Sequence, residues 1–181
     1  MRRFILTGAP GCGKTSILAA LRDRGYAVVP EAATDVIARQ QARGVDEPWT
    51  RPGFIDQIVA LQHARQLEAD ETGTAVQLYD RSPVCTLALA RYLDRPVTSS
   101  LADEIKRLTE QQIFQRPVFF VRPIGFITPT SARRISYAES LAFERVHESA
   151  YREHGFELID VPLAPVHERA ALVARELELR S

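Results

Sequence analysis

The sequence contains no asparagine. Ras-type GTPases read guanine through an Asn-Lys-x-Asp motif, and eukaryotic protein kinases hold a second metal ion with an asparagine of the catalytic loop. The absence of this one residue type therefore disfavours a Ras-type GTPase and excludes the catalytic loop of a eukaryotic protein kinase.

Cysteines and long apolar runs are also scarce. Cys12 and Cys85 are the only cysteines. Two isolated cysteines make neither a disulfide framework nor a zinc site, and they fit a reducing compartment. The N-terminal apolar run covers only residues 4–6, which is shorter than the core of a signal peptide. No window approaches the ~18 apolar residues of a membrane span. We expect a cytoplasmic protein that does not enter a membrane.

A surplus of either charge is missing too. The chain has 23 basic and 23 acidic residues. A nucleic-acid binder usually carries a basic surplus because phosphate neutralisation supplies much of its affinity, so the composition disfavours nucleic acid as a partner.

What the chain does have is 45% hydrophobic residues over a length of 181. This is typical of one globular domain, predicted to span 1–181. The oligomeric state is left open, a homodimer included.

Short apolar runs alternate with longer helical patterns, which predicts a parallel sheet with helices on both faces. We expect a three-layer α/β/α sandwich with five strands, whose ligands bind beyond the carboxyl ends of the strands. A stretch rich in Gly, Pro and Thr, at about 122–136, is predicted to be a lid-like loop. The predicted strands cover 4–7, 27–29, 75–79, 118–121 and 157–161, and the predicted helices cover 14–24, 34–43 (with Thr34 as N-cap), 54–71, 83–92, 101–114, 137–153 and 166–179.

A complete Walker A motif follows the first predicted strand: Gly8-Ala9-Pro10-Gly11-Cys12-Gly13-Lys14-Thr15. Its glycines let the backbone curl so that successive N–H groups face phosphate oxygens, and the next helix adds its positive end. Lys14 should reach the β- and γ-phosphates, and the Thr15 hydroxyl should ligate Mg²⁺. The motif predicts binding of ATP with Mg²⁺. The predicted nucleotide-binding residues are Gly8, Pro10, Gly11, Cys12, Gly13, Lys14, Thr15 and Ser16.

A second acidic site ends the third predicted strand. Asp80 has the position of a Walker B aspartate, which holds Mg²⁺ directly or through water. Arg81 follows where water-activating ATPases commonly carry a glutamate, so it suits a substrate anion or a transferring phosphoryl group. Ser82 before Pro83 is typical of a helix N-cap, with proline at the first helical position.

Four segments carry a family resemblance: 4–15, 24–32, the Tyr79-Asp80-Arg81-Ser82 motif and 151–162. Together they resemble the small single-domain bacterial "AAA domain" P-loop ATPases. The layout is also similar to nucleoside and nucleotide kinases, including the kinase domain that phosphorylates nicotinamide riboside.

The kinase resemblance implies roles for particular residues. Glu31, at the end of strand two, corresponds to the base for the substrate hydroxyl. Asp80 and Arg81 correspond to the acidic-Arg-Ser motif after strand three. Arg133 and Arg134 lie in the stretch that matches the phosphate-clamping lid. The catalytic residues implied are therefore Lys14, Glu31, Asp80, Arg81 and Arg134, with Arg133 at the nucleotide.

Plainer interpretations stay open for several of these residues. Glu31 could simply place a favourable charge near a helix N-terminus, and the Arg133–Arg134 pair could be solvated. Arg122, at the end of strand four, is a third candidate cation. Trp49 could stack on a substrate ring or anchor its loop. The four histidines, which have no zinc-ligand spacing, are predicted to lie at the surface.

Three functions remain in competition. The first is an ATP- and Mg²⁺-dependent phosphotransferase that acts on a small hydroxyl-bearing acceptor. The second is an NTPase or nucleotide-dependent switch acting on a partner protein. The third is a degenerate member of the fold that binds nucleotide without catalysis.

Overall fold

In the computed structural model, which describes residues 1–70, 73–125 and 135–180, five parallel strands lie in the order β2-β3-β1-β4-β5. The predicted fold class is confirmed. The strands are β1 Arg2–Thr7, β2 Ala27–Val29, β3 Val76–Asp80, β4 Pro117–Val121 and β5 Glu157–Val161. The helices are α1 Lys14–Asp23, α2 Ala32–Gln41, a short 3-10 helix Pro48–Thr50, α3 Phe54–Asp70, α4 Pro83–Tyr92, α5 Ser99–Glu110, α6 Tyr137–Glu153 and α7 Val166–Leu179.

Two apolar cores lie on the two faces of the sheet. Along β1, Ile5 packs into the core with α2 to α6, whereas Phe4 and Leu6 pack into the core with α1 and α7. Side chains of successive strand residues point to opposite faces, so a strand buried on both sides must be apolar throughout. This requirement explains the continuous apolar run that opens the sequence.

Two helices begin earlier than the sequence pattern predicts. Helix α2 starts at Ala32, with Glu31 rather than Thr34 at the N-cap position. Helix α5 starts at Ser99 after Thr98, whose side chain accepts a hydrogen bond from the Leu101 N–H. The prediction for α2 took Thr34 as the N-cap, but Thr34 lies inside the first turn, after the buried Ala32. In α5, two serines precede the buried Leu101, and they carry no apolar signal. None of the described helices is both long enough and apolar enough to cross a membrane.

The sheet order determines where the site forms. Strand β1 lies at the centre, between β3 and β4, and Leu6 pairs with Asp80 across the β1–β3 ladder. The loop after β1 and the residues after β3 therefore meet at one edge of the sheet. This edge is where parallel α/β sheets bind their ligands.

Candidate active site

The loop between β1 and α1 has a backbone that favours glycine at its two ends. Gly8 has φ +142° and Gly13 has φ +88°. A Cβ on Gly8 would lie 2.3 Å from the Val121 carbonyl oxygen, so the loop packs directly on the end of β4. Gly13 is the N-cap of α1, and no side chain caps that helix start. The first N–H groups of α1 are thus available to an anion, as a phosphate loop requires.

Lys14 is held within this loop. Its side chain is buried, and its Nζ lies 3.4 Å from the carbonyl oxygens of both Gly8 and Ala9. Thr15 is exposed and, like Lys14, lines the large cavity beside the loop. Ser16 is exposed in the same helical turn but does not line the cavity. Lys14 and Thr15 therefore lie on the same cavity beside the loop, while Ser16 does not.

Asp80 is the last residue of β3 and is almost fully buried. Its Oδ1 has no hydrogen-bond partner among the described residues. Burial raises the pKa of this carboxyl, Lys14 opposes that effect, and the nearby Glu31 adds to it. A buried carboxylate oxygen without a partner is costly, and a hard divalent cation is a suitable partner for it.

These residues fit an Mg²⁺ ion held jointly with phosphates. Within the described part of the chain, no cluster of three or more His, Cys, Asp or Glu side chains could hold a metal ion. Thr15 lies at the end of the phosphate loop, and Asp80 lies close to that loop. In such an arrangement the protein supplies only a few of the Mg²⁺ ligands, and the phosphates supply others.

Arg81 has the left-handed backbone angle φ +73°, which is unusual for a residue with a side chain. Its N–H donates to the Leu6 carbonyl at 3.1 Å, which ties it to β1. Its Nε lies 2.7 Å from Glu31 Oε1, while Thr34 Oγ1 donates to Glu31 Oε2 at 2.9 Å. Both carboxylate oxygens of Glu31 are thus oriented by partners.

A buried polar chain continues from Arg81 into the core. Arg81 Nη1 donates to Cys85 Sγ at 2.9 Å and lies 3.2 Å from His147 Nε2. Cys85 Sγ lies 2.6 Å from the same nitrogen. Burial raises the pKa of the Cys85 thiol. Burial and the positive charges of Arg81 and Lys14 hold the pKa of His147 well below its usual range. A neutral thiol and a neutral imidazole that accepts at Nε2 fit these contacts.

The prediction that every histidine lies at the surface is wrong for His147, which is 0% exposed. A signal was present in the sequence. Phe143, His147 and Tyr151 recur every four residues on α6, and all three are buried on one face of that helix. The spacing between the four histidines says nothing about this burial. His63 also has a partner, Glu104, at 3.0 Å.

Ser82 occupies the predicted N-cap position of α4, followed by Pro83. Its hydroxyl, however, makes no cap hydrogen bond and instead pairs with the Tyr151 hydroxyl at 2.8 Å. The expected capping role is therefore wrong for the side chain, because α6 brings a buried phenol within reach.

A cavity of about 640 Å³ opens beside the phosphate loop. It joins Lys14 and Thr15 to Glu31 and Arg81 in one space. Trp49 both lines it and packs against the core, so stacking and anchoring are compatible. The remaining wall is mostly apolar and aromatic, with residues Ile37, Phe54, Ile58, Leu89, Tyr92 and Phe143.

The other predicted cations divide into two cases. Arg122 is engaged by three carboxylates: Glu144 at 2.7 Å, Asp160 at 2.6 Å, and Glu148. Its guanidinium also lies 4.6 Å above the Phe120 ring. The role of Arg122 as a phosphate-facing cation is thus not supported. Arg133 and Arg134 lie outside the described residues.

A family model described as an AAA domain matches residues 3–169. The chain belongs to this family. No curated protein matches it in sequence. Among solved structures, it is similar to deoxyadenosine kinase from M. mycoides with bound dCTP, at 15% identity and a TM-score of 0.61 over 98% of this chain and 99% of that one. Thymidylate kinase from Candida albicans gives 8% identity and a TM-score of 0.63 over 99% and 92%. Shikimate kinase from Acinetobacter baumannii gives 13% and 0.58 over 100% and 95%. The fold of this AAA-domain protein is thus that of the P-loop kinases.

Proposed function

We propose that this protein is an ATP- and Mg²⁺-dependent phosphotransferase that transfers the γ-phosphoryl group to a hydroxyl of a small molecule. The observation that supports this proposal best is the shared cavity. Glu31 and Arg81 form an ion pair at 2.7 Å, and both line the space that Lys14 and Thr15 line at the phosphate loop. An acceptor in that space would lie between the carboxylate and the γ-phosphate.

In this proposal Glu31 is the general base. The carboxylate takes the proton of the acceptor hydroxyl as the hydroxyl oxygen attacks the γ-phosphorus. The bond to the β–γ bridging oxygen breaks, and the electron pair stays with ADP. Arg81 and Thr34 hold the carboxylate through opposite oxygens, so the base is oriented before the acceptor arrives.

The residues at the phosphate end bind and neutralise charge. Lys14 balances charge on the β- and γ-phosphates, and the loop N–H groups fix the phosphates in place. Thr15 and Asp80 would hold Mg²⁺, which neutralises phosphate charge when it is bound. The apolar wall of the cavity would exclude water from the transfer, which favours an alcohol over water as acceptor.

The acceptor is left as a small hydroxyl-bearing molecule. The structural neighbours are named as kinases of deoxyadenosine, thymidylate and shikimate. Their names span different acceptors on one fold, and fold alone does not choose between them.

The test compares transfer with hydrolysis. The protein is incubated with ATP, Mg²⁺ and a panel of nucleosides and small alcohols, and ³¹P NMR separates phosphorylated acceptor from inorganic phosphate. Glu31→Gln should lower transfer by ~10²–10⁴-fold while ATP affinity stays unchanged, because a lost acid–base group affects the chemical step. Glu110→Gln, a matched change at an exposed position of α5 that does not line the cavity, should behave as wild type.

Two results would overturn the proposal. One is full transfer by the Glu31→Gln variant. The other is rapid hydrolysis without any acceptor that is indifferent to Glu31, which would favour an NTPase switch instead.

A further inference from the structure

One arginine that the sequence analysis did not single out lies directly behind the phosphate loop. Arg169, in the first turn of α7, is only 3% exposed. Its Nη1 donates to the Cys12 carbonyl at 2.8 Å. Its Nη2 donates to the Arg122 carbonyl at 2.7 Å and the Val161 carbonyl at 3.3 Å. One side chain therefore ties the loop to the carboxyl ends of β4 and β5.

The charge of Arg169 has no carboxylate partner within the described part of the chain. Its Nε, also buried, has no hydrogen-bond acceptor there. The contrast with Arg122 is direct, since three carboxylates surround that guanidinium. Burial lowers the pKa of Arg169. A buried cation that only carbonyl dipoles balance costs free energy, and a nearby anion would recover part of it.

The contact with Cys12 reaches the ligand side of the loop through one peptide group. The Cys12 carbonyl and the Gly13 N–H belong to one peptide group, and in a trans peptide they point in opposite directions. Arg169 pulls electron density toward the carbonyl oxygen, which makes the N–H on the other side a stronger donor. Gly13 lines the cavity, and a Cβ on it would lie 3.4 Å from Arg169 Nη1.

We propose that Arg169 is a positioning residue for the phosphate loop, and that its buried charge, balanced by polyphosphate when nucleotide binds, strengthens binding in proportion to the phosphate charge. The effect passes through the peptide between Cys12 and Gly13 and through space. Lys14 acts from the ligand side of the loop, and Arg169 acts from behind it. This inference rests on the nucleotide binding in the proposed function, but not on the transfer step.

The experiment is calorimetric titration of the full chain with ATP, ADP and AMP, each with Mg²⁺. Arg169→Gln keeps hydrogen-bond donors but removes the charge, whereas Arg169→Lys keeps the charge with fewer donors. The Gln variant should lose roughly 10-fold or more in ATP affinity, less for ADP, and under about 2-fold for AMP. The Lys variant should bind ATP within about 3-fold of wild type. Arg175→Gln removes an exposed arginine from the same helix and should change nothing.

The outcomes separate the inference from the proposed function. Equal losses for all three nucleotides, or wild-type ATP affinity in the Gln variant, would overturn the role of the charge. If the Gln variant does not fold, the Lys variant decides: ATP affinity within about 3-fold of wild type supports the inference, and a larger loss of ATP affinity although the charge is kept overturns it. A wild-type protein that binds none of the nucleotides would sink the proposed function, and the inference with it.

Discussion

The two ends of the cavity are built in different ways. The phosphate end comes from one continuous segment, which runs from Pro10 to Thr15. Asp80 lies near Lys14 at the end of the neighbouring strand but does not line the cavity. The acceptor end is assembled from α2, the 3-10 helix, α3, α4 and α6. A local segment can carry its own signature in the sequence, whereas a wall built from distant helices cannot. The first end is therefore recognisable from the sequence, and the second, where we propose that the acceptor binds, is not.

The largest effect is expected from a substitution at the phosphate end of the cavity. Lys14→Ala should abolish measurable ATP binding and turnover, because the ammonium is the point charge that faces the β- and γ-phosphates. Calorimetric titration with ATP and Mg²⁺ measures it. The chain has one other lysine, Lys106, which is exposed on α5, so Lys106→Ala is a matched control. Unchanged affinity in the Lys14→Ala variant would remove the phosphate site from this loop.

Asp80→Asn should have the next largest effect. A neutral amide is a poorer ligand for Mg²⁺ than a carboxylate, so we expect activity to fall by about 10²-fold and the Mg²⁺ requirement to rise. Activity is measured over an Mg²⁺ titration. Asp103→Asn, an exposed change on α5, serves as control. Full activity of the Asp80→Asn variant at saturating Mg²⁺ would exclude Asp80 from the metal site.

A smaller effect should come from the chain that supports the acceptor end. Cys85→Ala removes the sulfur that accepts from Arg81 Nη1 at 2.9 Å, so Arg81 and Glu31 lose part of their positioning. We expect transfer to fall about 10-fold with ATP affinity unchanged. Cys85→Ser restores an acceptor and should recover part of the rate. Steady-state kinetics with separate ATP titrations would reveal the opposite pattern, in which ATP affinity falls and the rate does not.

The last expected effect is on stability against pH rather than on activity. His147 is neutral when folded because its pKa is held well below the usual range, but it takes up a proton in the unfolded chain below about pH 6.5. Its contribution to stability is therefore lost as pH falls, by about 2 kcal/mol between pH 7 and pH 5. Asp80, whose pKa is raised, acts in the opposite direction.

A comparison of His147→Gln with wild type isolates the contribution of this histidine to the pH dependence of stability. The free energy of unfolding of His147→Gln, measured by urea titration, should fall less steeply toward pH 5 than that of wild type. His167→Gln, at an exposed position of α7, should keep the wild-type slope. Parallel curves for wild type and His147→Gln would show that the imidazole is not held neutral.

Much of the fold was predictable because its signals are local. The bounds of α4, α6, α7, β2 and β5 match the sequence pattern, since each lies between clear turn or breaker residues. The predicted starts of α2 and α5 are wrong, because Thr34 lies inside the first turn of α2 rather than before it, and because the serines that open α5 carry no apolar signal.

At the candidate site, the sequence by itself determined the phosphate loop. Glycine backbone angles, a helix start and one lysine are encoded in consecutive residues, and no tertiary contact is needed to recognise them. Only the tertiary structure decided that Arg122 pairs with carboxylates rather than facing phosphate. The same holds for the burial of His147 beside Cys85 and Arg81, and for the position of Arg169 behind the loop. The environment of a charged or polar side chain depends on the partners that packing brings to it from distant parts of the chain.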